Sequence, residues 1–275
     1  MESLSLIDTW PVDNAAVAVI AKDGTTLGTR GDQDREFALA SVTKLLSASA
    51  ILLAIEEGAL ELDDPAGPEG ATIRHLLAHA SGLDFSEDVV RSTPGKRRIY
   101  SNIGIDTLAE TFTERAGMPF GDYLREGILE PLGMTQTKLV GSPAAGGVST
   151  AADLSRFAAE LQRPRILHPD TIAQATRVVF PGIDGVLPGY GRQRPNDWGL
   201  GFEIKGTKEP HWTGHANSPQ TFGHFGQAGT FLWVDPIAGV ACVGLADRSF
   251  GEWAAAAWPP LSDAVLAEHE ATAGA

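Results

Sequence analysis

The chain has 275 residues, of which 43% are hydrophobic and 20% charged, with a formal net charge of −14 at pH 7. That length supports a sizeable core, as one large domain or two interleaved ones. So negative a protein repels phosphate backbones and anionic lipid surfaces, which excludes nucleic acid and membranes as expected partners.

Residues 1–8 carry neither a basic region nor an apolar run. The expectation is no signal peptide, no transmembrane span and a cytoplasmic location. Residues 15–22 read as a buried strand, Asp23-Gly24 as a hairpin turn, and 25–30 as the returning strand. From Ser41 the period changes. Residues 41–57 are Leu-, Ala- and Ile-rich at helical spacing and apolar nearly all round, which predicts a central buried helix ended by Gly58. Helical periodicity recurs over 72–79, 102–116, 119–130, 150–161 and 169–176, with Thr150 and Asp153 spaced as a capping box. The Gly/Pro-rich stretch 181–195 reads as a mobile loop.

Strands return over 198–205, 220–225, 229–235 and 239–247, the last two joined by the turn-rich 235–239. The lone cysteine, Cys242, falls in the last of them and reads as a small core hydrophobe with no disulfide partner. Residues 253–270 read as a helix that Pro259-Pro260 would kink or delay. The order strands, helices, strands, helix predicts an α/β (α+β) fold. An antiparallel sheet from 1–58 and 197–275 is flanked by helices, and a mostly helical subdomain, 59–196, is inserted between. The cleft where the two meet is the expected ligand site.

Three short patterns carry chemistry. Ser41-Val42-Thr43-Lys44 puts a hydroxyl and an amine three residues apart on one helix face. At the helix start, free backbone N–H groups can hold a developing oxyanion, and apolar neighbours can lower the amine's pKa by desolvation. Tyr100-Ser101-Asn102 opens the next long helix. There the phenol can relay a proton, with its ionisation eased by the Lys44 ammonium, while Asn102 can bond Lys44 and a substrate carbonyl. His224-Phe225-Gly226 lies on a strand where glycine permits close backbone approach, and the Gln227 N–H would be a second oxyanion donor facing that of Ser41.

Together, Ser-x-x-Lys, Tyr-x-Asn and His-x-Gly, in this order on helix, helix start and strand, resemble the serine β-lactamase and penicillin-binding-protein superfamily. The nearest branch holds class C β-lactamases, DD-peptidases, D-aminopeptidases and β-lactamase-like esterases. The likeness spans most of the chain and includes 73–83, 131–134, 146–154, 198–202 and 223–226. It implies the β-lactamase/transpeptidase-like fold and an acyl-enzyme cycle without metal or cofactor. Ser41 would be the nucleophile, Lys44 and Tyr100 the proton carriers, and Asn102, His224, Phe225, Gly226 and Gln227 the residues that bind or orient substrate.

The third pattern departs from the Lys-Thr-Gly usual in β-lactamases. A neutral His224 and an apolar Phe225 offer a substrate carboxylate neither charge nor hydroxyl. Residues 62–70 are short for this branch, which opens the cleft. The expected substrate is therefore a small ester or amide, with a β-lactam or a D-amino-acid peptide as alternatives. The alternative of another class is a non-hydrolytic penicillin-binding or sensor protein.

Other residues take structural readings. His75 and His79, four apart on one predicted helix, read as packing or capping residues; Asp63-Asp64 as a turn; His211, Trp212 and His215 as an exposed loop. Trp198 and Trp233 read as core or cleft lining, and Trp253 and Trp258 as packing on the core or a partner.

Overall fold

The computed structural model describes residues 1–273. Its main sheet has six antiparallel strands in the order β2-β1-β11-β10-β9-β8. These are β1 (Ala15–Ala21), β2 (Thr26–Arg30), β8 (Glu203–Ile204), β9 (Phe222–Gly226), β10 (Thr230–Asp235) and β11 (Val240–Ala246). Both ends of the chain thus supply one sheet, with β1 paired to β11 from Ala15↔Ala246 to Ala21↔Val240.

Period-two alternation sorts each strand onto two cores. Ala16, Ala18, Ile20, Leu232, Val234, Val243 and Leu245 join the larger core beneath the helices. Val17, Val19, Phe231, Trp233 and Cys242 join the smaller one, covered by the C-terminal helix α7 (Glu252–Ala273) and a 3₁₀ helix, Glu2–Thr9. Trp258 is fully buried there, with Trp253 against it. α7 begins at Glu252 and runs through Pro259 and Pro260, so the prolines do not delay it.

Between β2 and β8 lie α1 (Thr43–Glu56), α2 (Ile73–Leu77), α3 (Asn102–Ala116), α4 (Phe120–Leu124) with a π turn at Arg125–Leu129, α5 (Ala151–Gln162) and α6 (Pro169–Ala175). Twelve of the fourteen residues of α1 are buried, as its all-round apolar pattern requires. α3 starts where Ser101 Oγ accepts from Gly104 N and stops where Gly117 turns left-handed, φ 67°. The Thr150 side chain caps α5, but Asp153 does not reciprocate. Its carboxylate accepts from Gln136 N and Thr137 Oγ1 instead.

The inserted part is not wholly helical. Its β4 (Lys138–Leu139) and β5 (Gly147–Ser149) form a small sheet with β3 (Phe37–Ala38), which precedes α1. The stretch expected as a mobile loop is a hairpin of β6 (Gly185–Leu187) and β7 (Gly191–Gln193). The strand expected over 198–205 shrinks to Glu203–Ile204 because 199–202 makes a tight turn, Gly199 N to Phe202 O at 2.8 Å. Gly201 presses onto α1 at φ 86°, and a Cβ there would lie 2.1 Å from that of Ala48.

His211 and Trp212, expected in an exposed loop, are buried at the sheet edge, and only His215 is exposed. Glu203 gathers them. Its carboxylate takes Lys208 Nζ at 2.8 Å, His211 Nε2 at 2.9 Å and Trp212 Nε1. Burial acts to raise the Glu203 pKa, but the Lys208 ammonium and His211 outweigh it and hold the carboxyl well below the usual carboxylate range. With both side chains of the Glu203–Lys208 pair essentially inaccessible to solvent, Glu203→Ala should strand a buried ammonium. It should lower unfolding stability by about 3–5 kcal/mol, read from urea denaturation.

Candidate active site

Ser41 sits on one turn of 3₁₀ helix, Ala40–Val42, that leads into α1. Ala40 holds φ 44°, a left-handed conformation costing roughly 1–2 kcal/mol in a non-glycine residue. Neighbouring elements hold the turn. Thr230 Oγ1 donates to Leu39 O at 2.8 Å, and Thr43 Oγ1 donates to Ala40 O at 2.6 Å while accepting from Gly147 N at 2.9 Å. The end of β9 runs against the same backbone. A Cβ on Gly226 would lie 2.2 Å from Leu39 O and 3.2 Å from Ser41 N, so glycine alone allows the approach. The structure thus brings Gly226, and with it the start of Gln227, to the Ser41 amide. The Gln227 side chain turns outward, to Phe250 O.

Lys44, the second residue of α1 and one turn beyond Ser41, is 1% exposed. Its Nζ reaches Ser41 Oγ at 3.1 Å, Asn102 Oδ1 at 2.6 Å and Ala144 O at 2.9 Å. Burial pulls its pKa down to about 7, against the opposing charge of Asp106. Asp106 lies one turn beyond Asn102 on α3 and accepts from Ser142 Oγ at 2.7 Å and from Ala144 N, ordering the turn whose carbonyl meets Lys44.

Tyr100 precedes the cap of α3 and is enclosed by rings. His79, His224, Phe85 and Trp198 have centroids 4.8, 5.5, 5.8 and 5.8 Å from its own. Lys44 Nζ lies over the ring face, 4.7 Å from the centroid. The phenol oxygen is buried and makes no hydrogen bond. Burial drives its pKa above the usual phenol range; the nearby Ser41 hydroxyl acts to lower it, and the Glu203 charge to raise it. This reverses the expectation that the Lys44 ammonium eases ionisation. The same dry surroundings that keep the phenol protonated also favour the neutral amine.

His224 packs on Tyr100 and Trp198. Its Nδ1 lies 2.6 Å from Phe225 O, and a carbonyl only accepts, so that nitrogen carries the hydrogen. Burial, reinforced by Lys44, lowers its pKa to about 3, leaving a neutral ring whose Nε2 is an unpartnered acceptor. The structure does not bring Phe225 to Ser41. Strand alternation turns it to the other face, among Trp212, Phe250 and Trp258.

Trp198 lines the cage, whereas Trp233 is core and donates to Ser262 Oγ. His75 and His79 do not share a helix. α2 ends at Leu77, and His79 lies beyond it at φ 53°. Asp63 and Asp64 take up Arg74 and Arg115 at the surface.

Sequence reasoning missed four participants. Asp106 was within reach, being four residues after Asn102 on a predicted helix. Ala144 contributes only a carbonyl, which no side-chain pattern announces. Phe85 and His79 join the site through loop geometry.

A family model described as Beta-lactamase matches residues 12–267. Penicillin-binding protein 4* of Bacillus subtilis is 32% identical over 136 residues, 38% of this chain and 30% of that protein. Esterase EstB of Burkholderia gladioli is 29% identical over 223 residues, 64% of this chain and 55% of that one. The chain therefore spans less than two thirds of these curated relatives' length. A crystal structure of a beta-lactamase from Mycobacterium bovis is 56% identical, with a TM-score of 0.96 over 97% of this chain and 99% of that one.

The Lys44 environment has a direct readout. Side-chain ¹⁵N or ¹³C NMR titration should place its pKa near the value of about 7 that burial imposes, whereas a wetted amine would titrate near the ordinary lysine value of about 10.4.

Proposed function

The chain belongs to the beta-lactamase family, and from that premise we propose that it is a serine hydrolase acting on a carboxylic ester or amide through an acyl-enzyme on Ser41. The observation that carries this reading is the Lys44 Nζ, stripped of water and 3.1 Å from the Ser41 hydroxyl. A lysine with a pKa of about 7 is half neutral at neutral pH and can take the serine proton.

The cycle follows from the groups present. Ser41 Oγ bonds to the substrate carbonyl carbon as its proton passes to Lys44. The oxyanion is held by the Ser41 and Gln227 amides. The carbon–oxygen or carbon–nitrogen bond to the leaving group breaks while the Tyr100 phenol protonates that group, and Lys44 returns a proton to Tyr100. Water, deprotonated along the same route, then attacks the acyl carbon and releases Ser41. Asn102 Oδ1 and Ala144 O orient the amine throughout.

The surroundings favour an uncharged, partly apolar substrate. His224 is neutral and offers Nε2 only as an acceptor. Phe85, 48% exposed, stacks on Tyr100, and Val89 and Val90 on the same segment are 40% and 56% exposed. An exposed apolar patch beside a nucleophile suits an alkyl or aryl group. The likeness to the mycobacterial beta-lactamase supports a second reading, a β-lactamase that binds its substrate without a cation from the third motif.

Steady-state hydrolysis of a short-chain p-nitrophenyl ester beside a chromogenic cephalosporin separates the two. Ester turnover should dominate and fall about a thousand-fold or more in Ser41→Ala; dominant cephalosporin cleavage would establish the second reading, and full turnover by Ser41→Ala would sink both. Because the base works only when neutral, kcat/KM should climb as pH rises through the Lys44 pKa of about 7 and level off above it. Lengthening the acyl chain from acetyl to octanoyl should raise kcat/KM, and Phe85→Ala should erase about tenfold of that gain, the worth of one or two buried methylenes.

A further inference from the structure

We infer that His79 is a positioning residue for Tyr100, fixing the phenol by grasping the backbone on both sides of it. The inference rests on the acyl-enzyme reading above. Ile99 N donates to His79 O at 2.9 Å, and Ser101 N donates to His79 Nδ1 at 3.2 Å. The residue between those two amides is Tyr100, and the same imidazole packs on its ring at 4.8 Å and on Trp198 at 4.6 Å. Backbone and ring of the phenol are thus both held by one residue, through its main-chain carbonyl and its imidazole, and it is 1% exposed.

The segments around His79 are tied together in the same register. Gly95 N donates to Ala80 O at 2.8 Å, and the buried Arg98 guanidinium donates to Ala78 O. His79 therefore stands on a fixed base when it meets Ile99 and Ser101. Its Nδ1 accepts from an amide, so that nitrogen bears no hydrogen, and burial keeps the ring neutral by holding its pKa well below the ordinary value.

The backbone marks the residue further. His79 sits at φ 53°, a left-handed conformation that few non-glycine residues adopt and that histidine, asparagine and aspartate adopt more readily than most. In that conformation its Nδ1 meets Ser101 N and its ring meets that of Tyr100. Packing alone would be met by any residue that fills the space.

Asparagine and glycine separate the two roles. Asn tolerates the left-handed conformation and offers Oδ1 to Ser101 N, while Gly takes the conformation but offers no acceptor. His79→Asn and His79→Gly would be assayed with Tyr or Phe at position 100, on ethyl butyrate and p-nitrophenyl butyrate, with folding checked by circular dichroism and melting. Ethoxide needs the proton that Tyr100 delivers, and p-nitrophenolate does not. His79→Gly should lower kcat/KM on ethyl butyrate about tenfold or more, through kcat with KM within about twofold, and lower kcat/KM less on the p-nitrophenyl ester, because kcat/KM reports acylation, the one step in which the leaving groups differ. His79→Asn should recover most of it, and in the Tyr100→Phe background His79→Gly should change kcat by less than about twofold.

Equal losses on both esters, additive losses in the two backgrounds, or a folded His79→Asn as slow as His79→Gly would overturn the inference. If His79→Gly does not fold, the folded Asn variant decides alone: near-normal kcat supports the positioning role, and a loss of about tenfold ends it. Ester turnover that survives Ser41→Ala, or none in the wild type, would instead sink the acyl-enzyme reading and the inference with it.

Discussion

A lysine amine acts as a base near neutral pH only if its charged form is disfavoured, and because burial does this for Lys44, keeping that amine dry governs the rest of the structure. Desolvation is an unfavourable term that something must offset. Here Ser41 Oγ, Asn102 Oδ1 and Ala144 O all lie within hydrogen-bonding distance of Nζ, so the amine is dry without being orphaned. Each of the three comes from a different part of the chain. α1 must therefore be central, α3 must start beside it, and the 142–146 turn must close over both. The all-round apolar character of α1 is the consequence of that central place, which keeps its second residue, Lys44, in a dry site.

A second constraint is closeness of backbones. The Ser41 turn, the end of β9 and the Thr43–Gly147 bridge pack so tightly that Gly226 and Gly147 have no room for a Cβ; at Gly147 it would meet Thr43 Oγ1 at 2.6 Å. Ala40 and His79 are held at positive φ in the same neighbourhood. Strain of this kind persists only where surrounding contacts over-determine the conformation. The large shared core beneath the sheet supplies those contacts. Stability gained there offsets strained turns and stripped polar groups at the cleft, the usual balance between a rigid body and a reactive site.

These two constraints explain what could be read in the sequence. α3 was legible residue for residue, because Ser101 and Gly117 mark its ends and its interior has helical period. The central strands were legible to within two residues because alternation and burial agree. Ser41 and Lys44 were found because they lie three apart on one helix face, and Asn102 because Tyr-x-Asn joins Ser-x-x-Lys in the resemblance to a known family; its approach to Lys44 across 58 residues is a contact that spacing does not reveal. What sequence did not reveal depends on contacts between distant segments. The 198–202 turn looked like strand because it is apolar, but Gly201 turns left-handed where it meets Ala48 and the chain bends back on itself. Phe225 looked like a substrate neighbour because it adjoins His224, but a strand sends adjacent residues to opposite faces. The phenol of Tyr100 looked easily ionised beside an ammonium, and burial dominates that attraction.

The chemistry of recognition follows from the same dryness. A cleft that neutralises Lys44 also neutralises His79 and His224, since burial lowers each and the Lys44 charge lowers both imidazoles further. Arg98, another buried cation near the site, spends its donors on the carbonyls of Ala78, Val179, Phe180 and Asn196, and Lys208 is paired with Glu203. Attraction between full charges therefore has little part in the proposed binding mode. In that proposed mode, selectivity would rest on shape, on the apolar face of Phe85 and on the lone acceptor of His224. A hydroxyl or amide N–H on the substrate can meet that acceptor, and a carboxylate cannot. On this physical ground the ester reading stands ahead of the β-lactam reading, despite the likeness in sequence.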